Sequence, residues 1–349
     1  MKNSKPKKNS KAKRWGFIFA IELILILLLI PCIFVYSKLS KINTASNDVV
    51  NKAKIVVNDD VDVSTKESLK GYHNIALFGV DSREGNIEAG ARSDTIIICS
   101  INHDTKDVKL LSVYRDTCLN VADHGYTKAT HAYAYGGAQL AMSMLNNNFD
   151  LDITEFATVD FGIMANIVDA FGGIELDMTE DEAGIINQYI KEQNRVTGSS
   201  SELIESAGLQ RVNGTQAVAY ARIRKIDSDF ERARRQRTVL AKIFEEAKKA
   251  DIPALLEIVD TVLPQVYTNL STTDIIALAK DVFAYNLADQ EGFPFEKTTG
   301  SYDGLSYVFA EGFTDNVRMM HEYLFNNTAY TPSTTVQTIG DELYYRTGH

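Results

Sequence analysis

Twenty consecutive residues, Phe17–Tyr36 (FIFAIELILILLLIPCIFVY), contain one charge, Glu22, and one proline, Pro31. A helix of that length and apolarity can cross a bilayer, and everything after it then lies on one side of the membrane. Charge decides which side. Seven basic residues precede the run (Lys2, Lys5, Lys7, Lys8, Lys11, Lys13, Arg14) with no acidic one, whereas only Lys38, Lys41, Lys52 and Lys54 follow closely. The positive-inside bias therefore puts the N-terminus in the cytoplasm and the remainder outside. A cleaved signal peptide competes with this reading, but the run exceeds the usual apolar core and no A-x-A site follows it. The expected organisation is a basic cytoplasmic tail over 1–14, a membrane anchor over 15–36 and an extracellular stalk over 37–70. A single extracytoplasmic domain over 71–329 and a loosely held tail over 330–349 complete it.

Subtracting those seven basic charges from the formal net charge of −10 leaves −17 on the remaining 335 residues. A body of that sign repels nucleic acid, whose non-specific binding rests on Lys and Arg neutralising phosphates, so no nucleic-acid partner is expected. Beyond Cys32 in the apolar run only Cys99 and Cys118 remain. The runs TIIICSI and VKLLSVY, joined by NHDTKD, read as a hairpin in which Cys99 faces residue 110. Cys118 then lies about eight residues on, ~26 Å at strand rise, so two free thiols are expected rather than a disulfide.

NIALFGVD ends a short apolar run in an acid, GGAQLAMSMLNNNF has helical period, DITEFATVD reads as strand, FGIMANIVDAF as helix and GGIELDM as strand. Strands alternating with helices predict an α/β/α sandwich around a central mixed sheet. Residues 178–208 read as a helical excursion with a Ser/Gly-rich loop. Further helices are expected near 231–249, 253–262, 272–284 and 314–325, with a weak strand at 306–309.

Against the acidic background, YARIRKIDSDFERARRQR (residues 220–237) packs six arginines and a lysine into eighteen positions. If Ser228 or Asp229 caps a helix here, steps of 100° put Arg232, Arg235 and Gln236 on the face continued by Val239, Leu240 and Ile243, and Arg234 on the opposite face. Arginines in register with an apolar stripe need an anion. Arg222 and Arg224, two apart, share one face if that segment is extended. Guanidinium forks near a helix N-terminus suit phosphate or pyrophosphate, while Asp227, Asp229 and Glu231 offer internal partners instead. Other charged residues fall at strand ends, where open α/β sheets build sites: Asp81 and Arg83, Arg92 and Asp94, Arg115 and Asp116. Asp81 and Asp94 suit Mg²⁺ (or Mn²⁺), which takes one or two carboxylates plus phosphate oxygens.

The motifs GVDSR (79–83), RSDTI (92–96), SVYRDT (112–117), TKATHAYAYGG (127–137), VDF (159–161), FGGIELDM (171–178), LQRVNGTQAVAYARIR (209–224) and DSDFERARRQR (227–237) resemble, in order, those of the LytR-CpsA-Psr family. The likeness spans about residues 72–245. It implies a phosphotransferase that attaches a glycopolymer from a polyprenyl-pyrophosphate carrier to peptidoglycan by a phosphodiester. It also implies that Asp81 and Asp94 bind the metal, and that Arg92, Arg115, Lys128, Arg222, Arg224, Arg232 and Gln236 hold the pyrophosphate, with Arg83 and Arg235 as further members. The sequence departs from the family pattern at Tyr114, where the motif has proline, and at Thr130-His131. A changed loop shape follows at the first, and at His131 either altered acceptor contacts or a neutral exchange.

On this reading Arg115 is catalytic and Asp229 or Asp116 takes the proton of an attacking sugar hydroxyl. Teichoic acid, capsule polysaccharide and related donors would all present the same pyrophosphate. Two other activities remain open: a hydrolase using the same pocket with water, and a membrane-bound transcriptional attenuator, which the acidic outer body disfavours. Helices such as GIMANIVDAF hold more apolar residues than one face requires. They either pack the core or part to form a lipid tunnel opening on the pyrophosphate pocket.

Overall fold

The computed structural model describes residues 50–81, 87–88 and 90–349. The expected anchor and Arg83 lie outside the described residues, among which no helix is long and apolar enough to cross a membrane.

Residues 50–70, expected to form part of a stalk, pack against the body instead. Val50, Ile55, Val61 and Leu69 are buried, and a short helix α1 (Val63–Leu69) is capped by the Asp62 side chain, which accepts from Thr65 N. These apolar residues follow no helical or strand period, so the polar composition around them hid their burial.

Strands β1 (Tyr72–Val80), β2 (Ser93–Asn102) and β3 (Asp107–Val113) form an antiparallel meander. The β2–β3 turn is held by the Asn102 side chain, which accepts from Asp104 N and Thr105 N. Cys99 stands opposite Leu110 as expected, and both Cys99 and Cys118 are free thiols. After a small hairpin of β4 (Cys118–Val121) and β5 (Gly125–Lys128) comes α2 (Ala129–Phe149), kinked at Gly136–Gly137, where Gly137 has a φ of 61°. Strand β6 (Glu155–Asp160) lies parallel to β1 and leads into α3 (Phe161–Ala170).

Strand β7 (Ile174–Met178) pairs only with β8 (Gly208–Val212), apart from the central sheet. These two, with α4 (Glu180–Thr197) and α5 (Gly214–Ala221), enclose a separate apolar cluster including Ile174, Ile186, Ile190 and Ala217. Then follow α6 (Asp229–Lys249), α7 (Ile252–Thr261), β9 (Tyr267–Thr268), α8 (Thr272–Lys280), β10 (Asn286–Phe293), the hairpin β11 (Lys297–Tyr302) and β12 (Leu305–Ala310), and α9 (Phe313–Phe325). The central sheet has the order β10-β3-β2-β1-β6-β9 and is mixed: β10 runs parallel to β3, and β9 antiparallel to β6.

Strand alternation divides this sheet between two layers. Ala76, Phe78, Ile96, Ile98 and Leu111 face α2 and α9; Ile75, Ile97, Ile101 and Leu110 face Leu240 and Phe244 of α6 and Ile275 and Leu278 of α8. This is the expected α/β arrangement around a mixed sheet. The expected loose tail is helical: α10 (Thr334–Thr347) buries Val336, Ile339 and Leu343. Buried Asp150 at the end of α2 accepts from Asn58 Nδ2 (2.6 Å), Tyr330 OH (2.6 Å), Ser333 N (2.8 Å) and Ser333 Oγ (2.7 Å). One carboxylate thus ties residues from both ends of the described chain to α2.

Candidate active site

The turn after β3 carries Arg115, whose guanidinium contacts three carboxylates from different parts of the sequence. Nη1 donates to Asp94 Oδ1 at 2.8 Å, while Nε lies 3.3 Å from Asp116 Oδ2 and 3.6 Å from Asp229 Oδ2. Asp94 reaches it through a β-bulge. Gly79 pairs with Thr95 but Val80 pairs with Ser93, leaving Asp94 as the extra residue of β2. Such bulges re-aim a side chain beside a site.

Asp229 opens α6 behind the Ser228 cap. It accepts from Arg232 Nη2 at 2.9 Å and lies 3.4 Å from Arg224 Nε. Lys128, at the junction of β5 and α2, sits 2.8 Å from Asp116 and under the edge of the site. Arg115, Lys128, Arg224 and Arg232 are thus linked by ion pairs to Asp94, Asp116 and Asp229: four cations to three carboxylates.

Electrostatics show where compensation falls short. Burial works against the Arg115 cation, yet Asp94, Asp116 and Asp229 outweigh it and raise its pKa. Arg232 is the converse. Burial and the nearby Arg115 and Arg224 cations hold its pKa below the usual range despite Asp229, and its Nε is buried without a hydrogen-bond partner. A buried cation left short of anions favours an anionic ligand.

The helical stepping of α6 holds: Arg232 and Arg235 are buried, Gln236 faces the sheet side, and Arg234 is half-exposed, paired with Glu231 at 2.6 Å. Arg235, expected as a further pyrophosphate residue, has its own protein anions. Its Nε donates to Glu182 Oε1 at 2.7 Å, its Nη1 to the Ile223 carbonyl at 3.2 Å, and its Nη2 to Asp227. Glu182 is the N3 residue of the Thr179 capping box at the start of α4, a signal present in the sequence, although its pairing with Arg235, 53 residues on, is set by tertiary packing.

Arg222 and Arg224 do not share an extended strand. The Asn213/Gln216 capping box starts α5, and Arg222 is its C-cap in helical geometry. Arg222 donates to Gln193 Oε1 at 3.0 Å, lies 3.5 Å from Glu192 and stacks 5.0 Å over the Phe161 ring; Arg224 is half-exposed. Arg92 is exposed just before β2, and Asp81 is exposed just after β1. Sequence reasoning also passed over Arg237, which is buried with Nε and Nη1 unpartnered.

Between the sheet and α3, α5 and α6 lies an apolar cavity of about 150 Å³, lined by Leu77, Ile97, Val159, Met164, Val218 and Val239 among others. Its wall also includes Val80, Thr95, Ala221 and Gln236, which are chain neighbours of Asp81, Asp94, Arg222 and Arg235. Thr95 follows Asp94, which binds Arg115, and Gln236 lies one turn beyond Arg232 on α6, so these wall residues place the cavity on the side of the cluster.

Among the described residues no group of three or more His, Cys, Asp or Glu is arranged to hold a metal by itself. The Val80–Ser93 pairing brings Asp81 and Asp94 to the same end of the sheet. Asp229 Oδ1 is buried without a hydrogen-bond partner. Such a set suits a hard divalent cation only when phosphate oxygens complete its shell.

The LytR_cpsA_psr family model matches residues 33–321. The chain belongs to that family. TagT of Bacillus subtilis, a polyisoprenyl-teichoic acid–peptidoglycan teichoic acid transferase, is 29% identical over 280 residues, covering 79% of this chain and 84% of TagT. A TagU transferase of the same description from Halalkalibacterium halodurans is 34% identical over 216 residues, 61% of this chain and 66% of the relative. Among solved structures, TagT bound to LIIa-WTA superposes with a TM-score of 0.60 at 26% identity, covering 75% of this chain and 92% of that one. Within the LytR_cpsA_psr family, then, this chain resembles proteins named as transferases.

Proposed function

We propose that this chain is an extracytoplasmic transferase that moves a glycopolymer from a polyprenyl-pyrophosphate carrier to peptidoglycan through a phosphodiester bond. The observation that carries the reading is the juxtaposition of a guanidinium cluster, in which Arg232 is buried and short of anions, with an apolar cavity, which matches a ligand charged at one end and hydrocarbon at the other. The names of the related transferases make polyisoprenyl-linked teichoic acid the first donor to test.

In this reading Arg115, Arg224, Arg232 and Lys128 hold the pyrophosphate, joined by Arg92 and Arg222 from the rim. Gln236 stands where head group and hydrocarbon meet. The cavity shelters the isoprenoid segment nearest the phosphates. Asp81 and Asp94 would hold Mg²⁺ or Mn²⁺, which when bound supplies positive charge to the pyrophosphate oxygens. Arginine contacts positioned in advance stabilise charge that builds on the departing phosphate, and such positioning supplies most of the acceleration in phosphoryl transfer. The run Phe17–Tyr36 anchors the chain with its N-terminus inside and the folded body outside.

The test incubates the full chain with Mg²⁺, a polyprenyl-pyrophosphate-linked oligosaccharide and uncrosslinked peptidoglycan. Arg115→Ala should lower transfer about 10²–10³-fold, and chelation should suppress it. Phosphate release without acceptor, at the wild-type transfer rate, would replace this reading with hydrolysis. A reporter fused after His349 that proves cytoplasmic would overturn the topology.

A further inference from the structure

Transfer to a sugar hydroxyl needs a group to take its proton, and the carboxylates of the cluster are poorly suited. Asp94 is held by Arg115, Asp229 by Arg232, Arg224 and Arg115, and Asp116 by Lys128 and Arg115. Burial works to raise the Asp116 pKa, but Lys128 and Arg115 outweigh it and hold the carboxyl below the usual range. Asp116 so held is a weak base, and the oxygens of Asp94 and Asp229 are engaged by arginines.

His131 stands beside them and is not used by any contact described above. It lies in the first turn of α2, one turn on from Lys128, and is half-buried. Its Nδ1 is 2.8 Å from Thr127 Oγ1 of β5. The charged groups that act on its ring are Arg92 from the segment before β2, Lys128 from β5 and Asp116 from the turn after β3. On its outer side its ring centroid is 5.7 Å from that of Tyr135, which in turn stacks on His124 at 4.1 Å. Arg92 and Lys128 are pyrophosphate residues in the reading above, and Lys128 lies one helical turn before His131, so the imidazole borders the phosphate side of the site.

We propose that His131 is the general base of the transfer, accepting the acceptor hydroxyl proton at Nε2. The assignment rests on the transferase reading. In the tautomer in which Nδ1–H donates to Thr127 Oγ1, Nε2 carries the free lone pair. The step balances. The hydroxyl proton passes to Nε2, the oxygen bonds to the polymer-side phosphorus, and the bond from that phosphorus to the bridging oxygen breaks. Polyprenyl monophosphate leaves with the electron pair, and the imidazolium returns its proton to the leaving phosphate or to water. Burial, then Arg92 and Lys128, lower the imidazole pKa against the pull of Asp116. The ring is therefore the free base at neutral pH, the state a general base requires.

The experiment measures transfer by the full chain in detergent micelles, with Mg²⁺, a polyprenyl-pyrophosphate-linked oligosaccharide and uncrosslinked peptidoglycan, between about pH 5 and pH 8. Wild type should lose activity on the acid side. His131→Gln should lower kcat about 10²–10⁴-fold and abolish that acid limb, with donor affinity and circular dichroism unchanged. His124→Gln should keep both rate and limb, and added imidazole should partly restore His131→Ala. Transfer by His131→Gln at the wild-type rate, or with its acid limb intact, overturns this assignment alone. No transfer by the wild-type chain overturns the transferase reading, and this assignment with it.

Discussion

Replacing Arg235 with alanine tests whether this arginine is a ligand residue or a structural one. Its side chain is 2 % exposed and that of its partner Glu182 is 3 % exposed. Removing it deletes contacts to Glu182, the Ile223 carbonyl and Asp227. Glu182 would keep its hydrogen bond from Thr179 N but be left as a buried charge without a cation. Breaking a buried ion pair by removing one partner costs about 3–5 kcal/mol. At an m-value of about 3 kcal/mol per molar urea, the midpoint should fall by about 1–1.7 M. Arg234→Ala, which removes only a half-exposed pair with Glu231, should cost under about 1 kcal/mol. The double variant Glu182→Leu/Arg235→Met should recover most of the loss, because paired apolar residues replace paired charges. The assay is far-UV circular dichroism during urea unfolding, since the sole tryptophan, Trp15, precedes the apolar run Phe17–Tyr36 in the sequence, far from Arg235. A midpoint for Arg235→Ala near that of wild type, together with lost affinity for the pyrophosphate donor, would refute the structural role.

His321 is fully buried, its Nε2 is 2.8 Å from the Phe149 carbonyl, and burial pushes its pKa down to about 4. The unfolded chain takes up this proton near pH 6.5, so its share of stability is complete above that value. About 3 kcal/mol should then be lost as pH falls to about 4, and His321→Phe should flatten that slope in urea titrations. A Cβ at Gly292 would overlap the Tyr114 hydroxyl and the ring carbon that bears it. Gly292→Ala should therefore cost about 1–3 kcal/mol, with Tyr114→Phe in the same chain restoring part of it. Met164→Trp should crowd the apolar cavity and weaken binding of long-chain polyprenyl pyrophosphate at least tenfold, about 1.4 kcal/mol, while leaving inorganic pyrophosphate binding unchanged in calorimetry.

Where local period and burial agree, the sequence was legible. Alternation in TIIICSI and VKLLSVY set the hairpin with Cys99 opposite Leu110, and stepping at 100° chose Arg232 and Arg235 as inward-facing. Period alone misled at YARIR, whose alternation suits a strand; the Asn213/Gln216 capping box upstream is the local sign that a helix precedes it. The contacts of Arg115 with Asp94 and Asp229 depend on strand pairing and on the docking of α6, and no spacing along the chain encodes them. Residues 50–70 and 330–349 were misjudged because each adds a few apolar side chains, set among polar neighbours, to the core cluster that also holds α2 and α9. Their burial is tertiary rather than periodic.

The Asp150 clasp has an engineering corollary. Asp60 also accepts from Thr335 N at 2.8 Å, so the segment before β1 and the first turn of α10 are latched to each other as well as to α2. Cutting the chain before Ser333 would therefore loosen the segment before β1 too, since each piece holds half of the latch.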